Sequence, residues 1–202
     1  MAMDAFQARF AVSRETMDRL ARYDALLQSW NPRINLVAKS TLGDSWARHF
    51  ADSAQLFSLL PADTGRLVDL GSGGGFPGLV LAIMGVPEVH LVESDARKCV
   101  FLREVARVTG APATIHQARA EVVEIPPADV VTSRALAALE TLLPLAHRFL
   151  KPHGLCLFLK GQNADQELTQ SGESWKMRVE RFPSVTDPSG TILRIGEIAR
   201  VS

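Results

Sequence analysis

The chain has 202 residues, 47% hydrophobic and 22% charged, which suits one compact unit with its own core and excludes a disordered or low-complexity protein. Lys plus Arg and Asp plus Glu both total 22, for a net charge of zero, which excludes a uniformly basic nucleic-acid binder and confines any basic surface to a local patch. No apolar run approaches the roughly 18 residues needed to cross a bilayer, so no membrane partner is expected.

In chain order, Met1 to Phe10 lack the apolar stretch and small-residue cleavage site of a secretory leader, so the expected location is the cytoplasm. Residues 1–62 read as helical. Phe6, Phe10, Met17, Leu20, Tyr23, Leu27 and Trp30 recur at intervals dominated by three, four and seven, the pattern of an amphipathic helix. Asn31-Pro32 ends it, since a residue before proline avoids the helical region. The loop Asn31 to Thr41 follows, then a helix from Asp44, its N-cap, to Leu60, with Pro61 beyond its end.

From Arg66 the pattern changes to short apolar runs alternating with helices. Arg66 to Leu70 reads as a strand, Pro77 to Met84 as a helix, Glu88 to Val92 as a strand and Ala96 to Val108 as a helix ended by Gly110. Ala113 to Gln117 and Asp129 to Thr132 are strands. Ala137 to Leu150 is a helix, with Pro144 marking a kink or a later start. A turn at Lys151 to Gly154 leads into the strand Leu155 to Lys160. A polar helix near Asn163 to Gln170 follows, then two β-rich segments, Lys176 to Phe182 and Thr191 to Val201, around the turn Asp187 to Gly190. Such alternation predicts an α/β fold, a parallel sheet covered on both faces with an antiparallel edge at the C-terminus. The two cysteines, Cys99 and Cys156, lie far apart inside apolar stretches. Neither a disulfide nor a metal site is expected from them.

The chemistry concentrates in Asp69-Leu70-Gly71-Ser72-Gly73-Gly74-Gly75-Phe76-Pro77-Gly78. This glycine loop follows a strand and opens a helix, the context that gives a glycine pattern meaning. A second acid, Glu93, closes the next strand, where a carboxylate accepts from ribose hydroxyls. Two cofactor classes fit. A dinucleotide would set a pyrophosphate on the helix N-terminus. S-adenosylmethionine carries instead a sulfonium and an ammonium group, which suit an acid directly before the glycines, and Asp69 favours it. After the fourth strand there is no Asn-Pro-Pro-aromatic tetrad to grip an exocyclic amine. Cys156 sits mid-strand, not in a loop as an activated nucleophile would. The segment instead reads Thr132-Ser133-Arg134-Ala135-Leu136-Ala137.

The glycine loop with its Phe-Pro-Gly ending resembles that of the bacterial 16S ribosomal RNA guanine-N7 methyltransferases, the glucose-inhibited division protein B family. The resemblance extends to Trp30-Asn31 with Asn35-Leu36, Arg48-His49 with Asp52-Ser53, and Glu93-Ser94 with Lys98 and Phe101-Leu102. It continues through Ala118-Arg119-Ala120-Glu121, Ser133-Arg134-Ala135 and Lys160-Gly161. It implies a Rossmann-like class I methyltransferase fold, a mostly parallel seven-stranded sheet with an antiparallel C-terminal edge strand. An N-terminal helical cap (1–62) would cover a cofactor-binding core (63–202). The implied activity is methyl transfer from S-adenosylmethionine to N7 of a guanine in the decoding-region (530) loop of 16S ribosomal RNA, in the small subunit or its free RNA, by a monomer. The alternative is S-adenosylmethionine-dependent methylation of a small molecule or a protein.

Asp69 joins the implied cofactor contacts Gly71, Gly73, Phe76, Glu93, Ala120, Glu121 and Arg134. Phe76 would pack beside the adenine or methionine portion. Guanine N7 is an unprotonated lone pair, so no general base is required; the catalytic assignments, Arg134 and Lys160, are positioning ones. Asn35, Arg48, His49 and Lys160 are the candidates for RNA contact. Structural readings stay open beside these: a solvated carboxylate for Glu121, an ion pair for Arg134, a helix N-terminal acid for Glu93, a boundary histidine for His49 and a turn role for Asn35.

Overall fold

The computed structural model describes residues 1–201; Ser202, the last residue of the expected core segment, lies outside the described residues. Two helices open the chain where one continuous pattern was expected: α1 (Met3–Phe10) and α2 (Arg14–Ile34). The break is local. Ala11 takes a left-handed conformation, and Ser13 caps α2 by accepting from the Thr16 N–H, a preferred N-cap arrangement. Pro32 does not end α2. The helix runs two residues further because Asn31 accepts the Asn35 N–H on its backbone carbonyl and the Val37 N–H at 2.8 Å on its side chain.

The expected helix from Asp44 to Leu60 is also divided. A short α3 (Lys39–Leu42) is followed by a wide π-helical turn at Trp46–Ala51, then α4 (Asp52–Ala54). Asp44 is not a side-chain cap; its carboxylate accepts from the Met1 amino group.

The sheet contains β1 (Arg66–Leu70), β2 (Glu88–Glu93), β3 (Ala113–Gln117), β4 (Ala128–Arg134), β5 (Leu150–Lys160), β6 (Trp175–Pro183) and β7 (Thr191–Arg200) in the order β3-β2-β1-β4-β5-β7-β6. β1 to β5 run parallel; β7 is antiparallel to both neighbours. The C-terminal strand thus supplies the antiparallel pairing but sits one place in, and β6 forms the edge. β5 begins at Leu150, earlier than expected, because the residues read as a turn are absorbed by a register shift against β4.

Helices α5 (Gly78–Met84) and α6 (Ala96–Thr109) cover one face together with α2; α7 (Leu139–His147) and α8 (Ala164–Gly172) cover the other. Leu20, Tyr23 and Leu27 of α2 share a core with Leu67, Leu79 and Phe101. Fully buried side chains of this kind stabilise by about 2 kcal/mol each, which accounts for a long helix with an exposed proline in its last turn. No helix of the described residues is long and apolar enough to cross a membrane.

Where α5 leaves the glycine loop, an added Cβ on Gly78 would run into Leu91 Cδ2 and stand 2.8 Å from Asp69 Cβ. Gly78→Ala is therefore expected to cost about 1–3 kcal/mol and to lower the melting temperature by roughly 3–10 °C. An unchanged thermal unfolding curve would contradict this packing.

Candidate functional site

The strand order reverses between β1 and β4, and ligands of open α/β sheets bind outside the carboxyl ends of the strands at such a point. The glycine loop follows β1, Glu93 ends β2, Ala118 to Glu121 follow β3, Arg134 ends β4 and Lys160 ends β5. Five separate stretches of sequence thereby converge on one end of the sheet.

Two cavities open there. The smaller, of about 450 Å³, is lined by Gly71, Gly73, Glu93, Lys98, Ala120 and Glu121 among others. Its floor is the glycine loop, in which the Gly71 and Ser72 N–H groups both donate to the Val92 carbonyl, at 2.9 and 3.1 Å. Gly71 is left-handed (φ +68°), and a Cβ there would strike the Leu136 side chain, so glycine is required. Glu93 is buried with both oxygens fixed: Oε2 accepts from the Gly73 N–H at 2.9 Å and Oε1 from the Asp95 N–H at 2.8 Å. Each oxygen keeps capacity for a further donor, so a ligand hydroxyl pair could be held there. The Ala120 and Glu121 carbonyls are held by Arg148 Nη1.

The larger cavity, of about 660 Å³, is lined by Arg48, His49, Asp52, Arg134, Lys160 and part of the β6–β7 turn. Arg134 is its centre. Nη1 lies 3.1 Å from His49 Nδ1, 3.3 Å from the Arg48 carbonyl and 3.3 Å from Asp52 Oδ2, and the guanidinium sits 5.0 Å from the centre of the Phe76 ring. An arginine only donates, so His49 Nδ1 accepts and the imidazole carries its proton on Nε2, which donates to Thr41 Oγ1 at 2.8 Å. Thr41 in turn donates to the Ala38 carbonyl. Burial, then the charges of Arg134 and Arg48, push the His49 pKa down to about 3, so the ring is neutral. Lys160 Nζ is committed to the Ala137 carbonyl (2.7 Å) and Glu167 Oε2 (2.8 Å). It anchors the segment after β4. Ala135, Leu136 and Ala137 border both cavities, so this segment is the partition between them.

Four expected contacts lie elsewhere. Arg134, expected at the cofactor as well as at the substrate, lines the larger cavity and not the smaller. Asp69 does not line the smaller cavity; it is fully buried, with Oδ1 accepting from Thr132 Oγ1 at 2.8 Å. It shares a sheet face with Leu67, since side chains alternate along a strand, and that face is covered by α5. Phe76 is also buried and lines neither cavity. It stacks on Tyr23, meets Phe50 edge-on and lies under Arg134, so it joins the N-terminal helices to the loop. Asn35 is the exposed left-handed residue that ends α2 and lies outside the larger cavity; the neighbouring Asn31 is the side chain that secures the following loop. Leu136, Thr41, Gln55 and Thr186 also take part in these contacts without having been expected there. Of these only Leu136, an apolar residue two places after Arg134, carries a signal in the sequence.

A family model described as rRNA small subunit methyltransferase G (GidB) matches residues 16–192. A ribosomal RNA small subunit methyltransferase G from Rhodospirillum centenum is 72% identical over 194 residues, covering 96% of this chain and 90% of its own. Its counterpart from Rhodospirillum rubrum is 56% identical over 200 residues, covering 99% and 100%. Among solved structures, a TehB-like SAM-dependent methyltransferase from Corynebacterium glutamicum superposes with a TM-score of 0.61 at 16% identity, over 90% of this chain and 99% of that one. TYW2 from M. jannaschii, solved in complex with AdoMet, gives 0.58 at 15% identity over 84% and 80%. At these identities the structures establish the Rossmann-like class I fold.

Burial raises the Asp69 carboxyl from 3.8 to about 6, against the hydrogen bond from Thr132. A pKa raised by folding gives stability that is complete below the unfolded value and is lost as pH climbs through the folded one. The melting temperature of Asp69→Asn, measured relative to that of the parent, should therefore rise between about pH 4 and pH 7.5. A difference that stays constant across that range would contradict the buried ionisation.

Proposed function

This chain belongs to the GidB family, the rRNA small subunit methyltransferases G, and we propose that it moves the methyl group of S-adenosylmethionine to N7 of a guanine in the decoding-region loop of 16S ribosomal RNA, within the small subunit or its free RNA. It is an rRNA methyltransferase; the cofactor, the atom and the loop are the proposal. The observation that carries it is the partition. Ala135 to Ala137 line both cavities, so a methyl donor in the smaller one and a base in the larger one would meet across them.

The smaller cavity fits S-adenosylmethionine: Glu93 would accept from the ribose hydroxyls, Gly71 and Gly73 would allow close approach of the methionine portion, and Ala120 and Glu121 would border the adenine. When bound, the cofactor supplies an activated methyl group. The chain's own residues then need to align N7 with it and exclude water, a contribution that reaches about 7–11 kcal/mol when the alignment is good. No proton is removed from N7. His49 agrees with that requirement, because a ring whose pKa lies near 3 and whose two nitrogens are both engaged is a poor base.

Among the described residues, Arg134 spends only Nη1 on the protein. Its Nε and Nη2 are open for the substrate, and a donor directed at guanine O6 would hold the base while leaving the adjacent N7 lone pair free. Lys160 acts through the Ala137 carbonyl and so sets the partition. Exposed Arg48, on the cavity wall, is the candidate for a backbone phosphate.

Purified protein should transfer labelled methyl from S-adenosylmethionine to small subunits, or their RNA, from a strain lacking this activity, and nuclease should release the label. Label that follows a protein or a small molecule, or none in any ribosomal RNA, would overturn the reading. Glu93→Gln should weaken S-adenosylmethionine binding by about tenfold or more, the worth of a hydrogen bond to a charged acceptor. Arg134→Ala should lower turnover by about tenfold to a hundredfold with cofactor affinity unchanged.

A further inference from the structure

The turn between β6 and β7 forms one wall of the larger cavity through Ser184, Asp187 and Gly190. It is bonded to the group that holds Arg134. We propose that Asp52 is a positioning residue for Arg134 in methyl transfer and that Thr186, on the turn, sets Asp52. This rests on the function proposed above.

Asp52 faces two ways. Its Oδ2 lies 3.3 Å from Arg134 Nη1, with both side chains less than one-fifth exposed. Its Oδ1 accepts from Thr186 Oγ1 at 2.7 Å and from Gln55 Nε2 at 3.0 Å. Gln55 is itself buried and accepts the Val185 N–H at 2.9 Å. With Oδ1 taken by two donors, the carboxylate cannot turn, and Oδ2 is left directed at the guanidinium. The other acceptors on Nη1, His49 Nδ1 and the Arg48 carbonyl, are neutral. Asp52 is the one anion in the set, so at 3.3 Å its contact with the guanidinium includes a charge attraction that the neutral acceptors lack.

The charge has a second use. Methylation at N7 makes the guanine cationic, and an uncompensated arginine beside it would oppose the reaction. A fixed carboxylate on Arg134 lowers that opposition without having to reorganise during the transfer. Thr186 does not line the cavity; its hydroxyl also lies 3.0 Å from Ser184 Oγ, which does, and the Arg134→Ala background separates that route from the one through Asp52.

The test compares turnover and one spectroscopic signal in Thr186→Val, Thr186→Ser and Asp52→Asn. Thr186→Val should lower kcat by about tenfold with the KM for S-adenosylmethionine unchanged. Thr186→Ser should restore it, and Thr186→Val should cause no further loss in an Arg134→Ala background. The ¹⁵N–¹H signal of the Arg134 side chain, assigned by its loss in Arg134→Lys, should shift in both Thr186→Val and Asp52→Asn. An unmoved Arg134 signal, or an equal loss of kcat in the Arg134→Ala background, overturns the inference. If the parent methylates no ribosomal RNA, the function proposed above fails, while the Arg134 signal still decides whether Thr186 and Asp52 set that side chain.

Discussion

Tyr23, from the second helix, donates its hydroxyl proton to the Gly74 carbonyl, while on the opposite side Glu93 accepts the Gly73 N–H. These two bonds hold adjacent residues of the glycine loop from different parts of the fold. Gly75 shows how close the first approach is, since a Cβ there would meet both Leu79 Cδ1 and Tyr23 Oη at 2.5 Å. Glycine in a left-handed conformation forgoes the entropy of an unusually free residue, so a loop built this way requires fixed partners. The N-terminal helices are such a partner, and the shape of the smaller cavity depends on them as much as on the sheet.

Arg134 extends the same logic to the larger cavity. It leaves the sheet at the end of β4, lies over Phe76 of the glycine loop, and is met by His49 and Asp52 from the segment that follows α3. The wide π-helical turn at Trp46–Ala51 brings the Arg48 carbonyl and the His49 ring to the same guanidinium nitrogen, the kind of place where such irregular turns recur. A neutral histidine suits this role, because a protonated ring could offer no lone pair to an arginine. Lys160, paired with Glu167, fixes the other end of the partition. The reacting groups are thus placed by an ordered set of polar contacts, as a reaction without a general base requires.

Much of the fold could be read from the chain because it rests on local signals. The short strands β1 and β3 and the Gly110 stop of α6 lie where alternation and turn chemistry put them. The N-terminal helices were harder, since one apolar stripe continues through the break at Ala11, and the left-handed residue there is alanine instead of the glycine that would announce it. In the site, Glu93, Gly71, Gly73, Ala120 and Glu121 gather around one cavity because each directly follows or ends a strand. Asp69 and Phe76 are equally close to the loop in sequence, but their directions depend on which sheet face α5 covers and on Tyr23 and Phe50. The alternation of Leu67 and Asp69 was available as a signal. Thr186 and Gln55 belong to no motif and reach Asp52 only through the packing of the β6–β7 turn.

Which atom receives the methyl group decides the function most directly. Small subunits from a strain lacking the activity, methylated by the purified protein, can be reduced and cleaved chemically at N7-methylguanine and the break mapped on the RNA. The expected result is one new break, at a single guanine of the decoding-region loop, present only when S-adenosylmethionine is supplied. Incorporated label without any new break, or a methyl group found on another atom, would contradict it.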